Sequence, residues 1–316
     1  MILCFFGTYI NFYCVEIFDF FIKNIRDLNF ICYIMDLLRT KLERNLQKTC
    51  EDFPGVMGIG VKSLESEDEI ILINGEETFP IGSSIKIPIL IEFYKKVESG
   101  SIDSSTPFTY LSEHGVGGTG VIQFLTPGEV IMPLKDYAML MINVSDNIAT
   151  NILIDLLNME DINKTIKNLG LQKTILQRKM MDWNAVAEGK ENISTPREAI
   201  ELMDCIFKKR GLSQFVCDNV LNVLKKPKTG AIRNSVPDDI EVADKSGSVE
   251  GVLCDIGIVF LPRKSYAVAV MTKHIPISDF KNLNTESSMR SITKIIHNYF
   301  EELSIATIYG RRVSRK

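Results

Sequence analysis

Phe79-Pro80-Ile81-Gly82-Ser83-Ser84-Ile85-Lys86-Ile87-Pro88 is a glycine–serine turn running into an apolar segment, and its reading decides the fold. A helix that begins at Ser83 puts Ser83 and Lys86 on one face, one turn apart. A serine hydroxyl is a weak nucleophile unless a base stands beside it. Lysine is such a base only when its pKa falls, which burial and a second nearby cation both bring about. The free N–H groups at a helix start then offer a place for an oxyanion. Ile85, Ile87, Ile89, Leu90, Phe93 and Val97 make the helix apolar nearly all round, so it is expected to be buried. Pro88 falls in the first turn, where a missing donor is tolerated. Ser-x-x-Lys also occurs at Ser278–Lys281, read as loop, and at Ser291–Lys294, read as the solvated face of a terminal helix. The spacing alone therefore carries little, and its surroundings decide.

Upstream, Leu37, Leu38, Leu42 and Leu46 fall on one helical face. Pro54-Gly55 then breaks into a strand over Val56–Val61, with Ile70–Ile73 as its hairpin partner across an acidic turn and Asn74-Gly75 as its close. Downstream, residues 100–225 lack alternation and read as helices joined by loops, among them Leu134–Val144 and Ile148–Leu157 with Ser145-Asp146-Asn147 between. Thr195-Pro196-Arg197-Glu198 is a capping box with proline at the first helical position, opening a helix to about Lys209. Arg178–Asn192, just before it, is irregular and long enough to be a functional loop. Alternation returns in Ile240–Lys245, with Ser246-Gly247-Ser248 at or just inside its end, and in Leu253–Phe260 and Tyr266–Met271. A final amphipathic helix turns Met289, Ile292, Ile295, Ile296, Tyr299 and Phe300 inward. The order is helix, two strands, helices, three strands, helix. It predicts an α+β fold: a five-stranded antiparallel sheet built from both ends of the chain and flanked by terminal helices, with a helical subdomain inserted.

The chain has 316 residues, 45% apolar and 24% charged, enough for a large core in one or two domains. A net charge of −4 gives no electrostatic footprint for nucleic acid. The seven cysteines form no Cys-x-x-Cys pair, which points to reduced thiols and a cytoplasmic setting. His114, His274 and His297 lie far apart, and neither a metal nor a cofactor is expected. Residues 1–34 are rich in Phe, Ile, Tyr and Cys but lack the early cation and small-residue cleavage site of a secretory leader. Glu16, Asp19, Lys23, Arg26 and Asp27 interrupt any run long enough to span a membrane. We read 1–34 as standing outside the native fold, with translation starting at Met35; a crude membrane anchor is the runner-up. The catalytic domain is then expected over 35–305, with α/β parts 35–98 and 226–305, a helical part 99–225 and a basic tail 306–316.

Ser83-x-x-Lys86, Ser145-Asp146-Asn147 and Lys245-Ser246-Gly247 come in the order seen in class A serine β-lactamases and penicillin-binding proteins, and the chain resembles that family. Gly117-Gly118-Thr119-Gly120, Thr150-Asn151 and the Thr195 cap extend the likeness over most of 35–305. The resemblance implies a β-lactamase/transpeptidase-like fold in which Ser83 forms an acyl-enzyme, Lys86 accepts or relays the proton, and Ser145 passes one to the departing nitrogen. Asn147 holds Lys86 or the substrate amide, and Asp146 ties down its loop. Lys245 and Ser246 take a substrate carboxylate, Gly247 lets the strand lie close to the substrate, and the N–H groups of Ser83 and Ser248 form the oxyanion hole. The implied partner is a small molecule, a β-lactam or a D-amino-acid peptide or ester, and the implied state a monomer.

The match fails in one place. The family carries a glutamate two residues after an arginine on the irregular loop, where it activates the water that frees the acyl-enzyme. Counting two from Arg178 lands on Met180, which has no proton to exchange. Asp182 or Glu188 are the candidate substitutes, with Asn184 as a holder of water. Three readings follow: a β-lactamase-like hydrolase, weak for want of that glutamate; a D-amino-acid peptidase, carboxypeptidase or esterase of the penicillin-binding-protein type; and a non-hydrolytic binder or sensor.

Overall fold

The computed structural model describes residues 36–66, 70–281, 284–307 and 311–312. The expectations for 1–34 and for a start at Met35 lie outside these residues. Two compact units are present: the described residues of the first are 36–45, 305–307 and 311–312, and the second is Leu46–Ser304. The helix over 36–51 (α1) begins with Leu37 and Leu38 exposed and Leu42 buried. The expected single apolar face therefore holds at Leu42 and Leu46 but not at its start. Among the described residues no helix is long and apolar enough to cross a membrane.

The second unit carries the sheet. β1 (Val56–Ser63) pairs antiparallel with β2 (Ile70–Ile73) on one side and with β9 (Tyr266–Lys273) on the other. β8 (Val252–Val259) and β7 (Val242–Val249) complete the order β2-β1-β9-β8-β7, so both ends of the chain meet in the middle of the sheet and β7 is an edge. All five strands follow from alternation or apolar runs, and the Ser246-Gly247-Ser248 segment lies within β7. Four further strand segments were not expected: β3 (Phe79–Pro80), which pairs with β6 (Ile193–Ser194), and β4 (Pro107–Thr109), which pairs with β5 (Ile131–Pro133). At two or three residues each, they are too short to show a period.

A 3-10 turn, Gly82–Ile85, leads directly into α2 (Lys86–Glu98). Ile85, Ile87, Ile89, Leu90, Ile91 and Phe93 are fully buried at the centre of the core. Burying each such side chain stabilises by roughly 1.5–3 kcal/mol. Around α2 lie α3 (Leu134–Asn143), α4 (Asn147–Leu157), α5 (Met159–Asn168) and α8 (Gln214–Leu224). A five-residue helix, α6 (Trp183–Ala187), sits inside the segment read as wholly irregular. α7 (Pro196–Lys208) begins where the capping box places it, with Thr195 Oγ1 accepting from the Glu198 N–H at 3.1 Å, and packs on β1, β8 and β9. α9 (Ile277–Lys281) puts Ser278 in a short helix instead of a loop. α10 (Asn284–Ile305) stacks Phe300 on Tyr266 of β9, ring centroids 4.4 Å apart; Ile295 and Tyr299 are only half-buried.

Candidate active site

The turn before α2 is held against the edge strand β7 and its neighbour β8 by two hydrogen bonds and by close backbone approach. Ser84 Oγ donates to the Lys245 carbonyl at 2.8 Å, and Cys254 Sγ donates to the Ile81 carbonyl at 2.9 Å. Gly82 adopts φ +46°, and a Cβ there would stand 3.0 Å from the Ser248 nitrogen. A Cβ on Gly247 would stand 2.1 Å from the Ile81 oxygen and 2.9 Å from the Ser83 nitrogen. Glycine at 247 is thus required by the approach of strand to turn, a reason distinct from the expected one of approach to a substrate. The backbone nitrogens of Ser83 and Ser248 come to neighbouring positions as a result.

Lys86, the first residue of α2, is fully buried. Its Nζ lies 2.9 Å from the Ser145 carbonyl, 3.0 Å from Ser145 Oγ and 3.0 Å from Asn147 Oδ1. Burial, first, and the charge of Lys245, second, pull its pKa well below that of an ordinary lysine, with Asp146 opposing. Lys245 is buried too and is drawn down to about 8, by desolvation against the pull of Asp255.

Ser145 sits in the left-handed region at φ +53°, which turns the chain between α3 and α4. Its carbonyl also accepts from Thr119 Oγ1 at 2.7 Å. Asp146 is the loop's anchor, as expected. Its Oδ1 caps α4 by accepting from the Ala149 N–H at 3.0 Å, and its Oδ2 accepts from the N–H groups of Val121 and Ile122 at 2.7 and 2.9 Å.

These elements wall a cavity of about 640 Å³, to which Ser83, Ser145, Asn147, Lys245, Ser246, Gly247 and Ser248 all contribute. Residues separated by 162 positions, Ser83 to Lys245, therefore open on one space. Lys86 lies beneath it, reaching the cavity through its contacts with Ser145 and Asn147.

The loop candidates fare differently. Asp182 Oδ1 caps α6 by accepting from the Ala185 N–H at 3.0 Å. Glu188 is exposed and pairs with Lys190 at 2.7 Å, and Asn184 is exposed. None of the three lines the cavity. The short helix uses Asp182 as its cap, and the α6 residues that line the cavity are Trp183 and Val186. Met180 does line the cavity, and its backbone is clamped on both sides by Asn151, Oδ1 accepting from the Met180 N–H at 2.8 Å and Nδ2 donating to its carbonyl at 3.0 Å. Glu191, which was not anticipated, also lines it, but its carboxylate accepts from Arg178 Nε and Nη2 at 3.1 and 2.8 Å. Asn192 closes the loop's base by accepting from the N–H groups of Gln177 and Arg178. Thr229, Gly230, Asp255 and Glu286 complete the far wall without any signal in the local sequence pattern.

With fold and site in view, the profile of the Beta-lactamase enzyme family matches residues 41–300, and the chain belongs to that family. It is 25% identical over 233 residues to a beta-lactamase of Bacillus licheniformis, covering 71% of this chain and 73% of the relative. Among solved structures it resembles a beta-lactamase from Sphaerobacter thermophilus, with a TM-score of 0.74, 28% identity and coverage of 82% of this chain and 97% of the other. PBP-A is as similar in shape, with a TM-score of 0.74, 25% identity and coverage of 83% and 96%. A mutant of PBP-A is described as an acyl-enzyme complex with penicillin G.

Proposed function

We propose that the protein is a serine hydrolase of the β-lactamase type that is acylated readily and releases its product slowly. The observation that carries this reading is the buried Lys86 amine, 3.0 Å from Ser145 Oγ and 3.0 Å from Asn147 Oδ1 beneath a cavity that Ser83 enters. Burial and the charge of Lys245 lower the Lys86 pKa and so favour the neutral amine, whose lone pair can take the Ser83 proton. Ser83 Oγ then attacks the lactam carbonyl. The new oxyanion meets the N–H groups of Ser83 and Ser248. Ser145 delivers a proton to the nitrogen as the ring C–N bond breaks, and Lys86 restores it. Lys245 and Ser246 hold the carboxylate of the substrate, and Asn147 its side-chain amide.

Hydrolysis of the acyl-enzyme needs a base for water. Met180 cannot supply one, Asp182 and Glu188 are engaged elsewhere, and the Glu191 carboxylate is paired with Arg178. A missing general base is worth about 10²–10⁴ in rate. Deacylation is therefore the slow step. The likeness to PBP-A favours a second reading, a D-amino-acid carboxypeptidase or esterase of the penicillin-binding-protein type, in which the same acyl-enzyme forms on a peptide.

Turnover of a chromogenic cephalosporin by the wild type and by Ser83→Ala tests the first reading. A slow turnover that the variant abolishes supports it; equal turnover by both proteins would rule out Ser83 as the nucleophile, and binding without reaction would leave a non-hydrolytic binder. A panel of D-Ala-D-Ala peptides and esters cleaved faster than the cephalosporin would favour the second reading.

A further inference from the structure

Behind the Lys245 end of the cavity lie two buried carboxylates that the acylation chemistry does not use. β7 and β8 pair Asp244 with Gly257 and Ser246 with Asp255, so Asp244, Ser246 and Asp255 share one face of the sheet. Asp244 is 0% and Asp255 1% exposed, yet Asp255 contributes to the cavity wall. Gly230 packs between them: the position its Cβ would take is 2.8 Å from Asp244 Oδ2 and 2.8 Å from Asp255 Oδ2. Asp244 Oδ2 and Asp255 Oδ1 are both buried without a hydrogen-bond donor.

The two acids differ in their partners. Asp244 Oδ1 accepts from Arg233 Nη2 at 2.7 Å and lies 3.4 Å from Lys228 Nζ. It is the anion of the pair. Asp255 has one backbone donor, the Ile232 N–H at 2.9 Å, and no side-chain cation in contact. The charged groups acting on Asp255 are Asp244 and Lys245 from β7 and Lys228 from the segment before it, with Arg233 held on Asp244, Glu286 of α10 on the same cavity wall and the Cys254 thiol next along β8. β9 faces it with Val270. A charge on Asp255, buried beside the Asp244 carboxylate and without contacting cations of its own, is costly, and a proton on Asp255 removes the cost.

We propose that Asp255 is kept as a neutral carboxylic acid beside ionised Asp244, and that this neutrality lets the Lys245–Ser246 end of the cavity accept an anionic substrate group. An ionised Asp255 directly across from Ser246 would repel a carboxylate bound there and offset the charge of Lys245. Burial, then the charge of Asp244, raises the Asp255 carboxyl to about 8, so the acid form holds through neutral pH. Asp255 is in this account a specificity-determining residue; it takes no proton from the reacting atoms. The link to substrate rests on the proposed acyl-enzyme function, whereas the protonation state does not.

Asp255→Asn keeps the acceptor for the Ile232 N–H and removes the titration. Infrared spectroscopy of the wild type should show a protonated-carboxyl band at pH 7 that fades as pH passes about 8 and is missing in Asp255→Asn. In acylation by a penicillin, the ratio of the variant's rate to the wild type's should rise about twofold or more between pH 6.5 and pH 9, because the variant has lost the Asp255 titration while Lys86 and Lys245 titrate in both proteins. A neutral ester lacking a carboxylate should show no such difference. A wild type without the band at pH 7 overturns the proposal whatever the enzyme acts on. With the band present, matching alkaline limbs in the two proteins overturn the link to anion binding. A folded protein that shows the band but is acylated by neither substrate instead defeats the function proposed above and leaves the acid pair standing. Thermal unfolding of Asp255→Asn at pH 6.5 shows that the comparison is made between folded proteins.

Discussion

The two sides of the cavity are built to opposite standards. On one, Lys86, Ser145 and Asn147 form a polar cluster in which every contact is 2.9–3.0 Å and the backbone is fixed by Asp146 and Thr119. On the other, the Arg178–Asn192 loop is equally well anchored, by Asn192 at its base and Asn151 at its middle, yet it points a methionine into the cavity. The difference lies in chemistry and not in order. Both walls are hydrogen-bonded in place, but the carboxylate that the loop wall brings to the cavity, Glu191, is tied up by Arg178. A protein with these two walls is expected to complete the first half of an acyl-transfer cycle and stall in the second.

The comparison can be broken from either side. Lys86→Met removes the base of the polar wall and should lower acylation by a penicillin about 10²–10⁴-fold, measured by stopped-flow, with the fold retained because burial favours the neutral side chain. Met180→Glu places a carboxylate on the opposite wall and should raise deacylation by about 10²–10⁴ while leaving acylation nearly unchanged, read as a shortened adduct lifetime.

A pH profile sharpens the same contrast. Lys86 must be neutral to act, so acylation should fall about tenfold per unit as pH drops below its lowered pKa. Lys245 must be charged to hold an anion, so the opposite limb should begin near pH 8. Asn151→Ala removes both hydrogen bonds to the Met180 backbone and should cost about 1–3 kcal/mol of stability by denaturant unfolding, loosening the loop wall without touching Ser83.

Much of this was legible in the chain. The strands β1, β8 and β9 announce themselves as short apolar runs bounded by turn residues, as strands buried on both faces do, and Thr195-Pro196 marks the start of α7 because its cap is local chemistry. Convergence of Ser83, Lys86, Ser145 and Lys245 came from three motifs whose order resembles a known family; no local rule brings residue 245 to residue 83. The loop carboxylates were misjudged because an aspartate reads the same in sequence whether it caps a helix or serves as a base. Asp182 does the former, and only the five-residue helix after it decides the matter. Gly230, Asp244 and Asp255 were silent for a related reason: their meeting depends on strand register and on a turn packed behind the sheet.

The central claim is tested most directly by intact-protein mass spectrometry after mixing with a stoichiometric penicillin. The account predicts a single covalent adduct, mapped to Ser83, that forms quickly and persists long after free penicillin is gone. Complete turnover with no lasting adduct, or an adduct on any other residue, would contradict it.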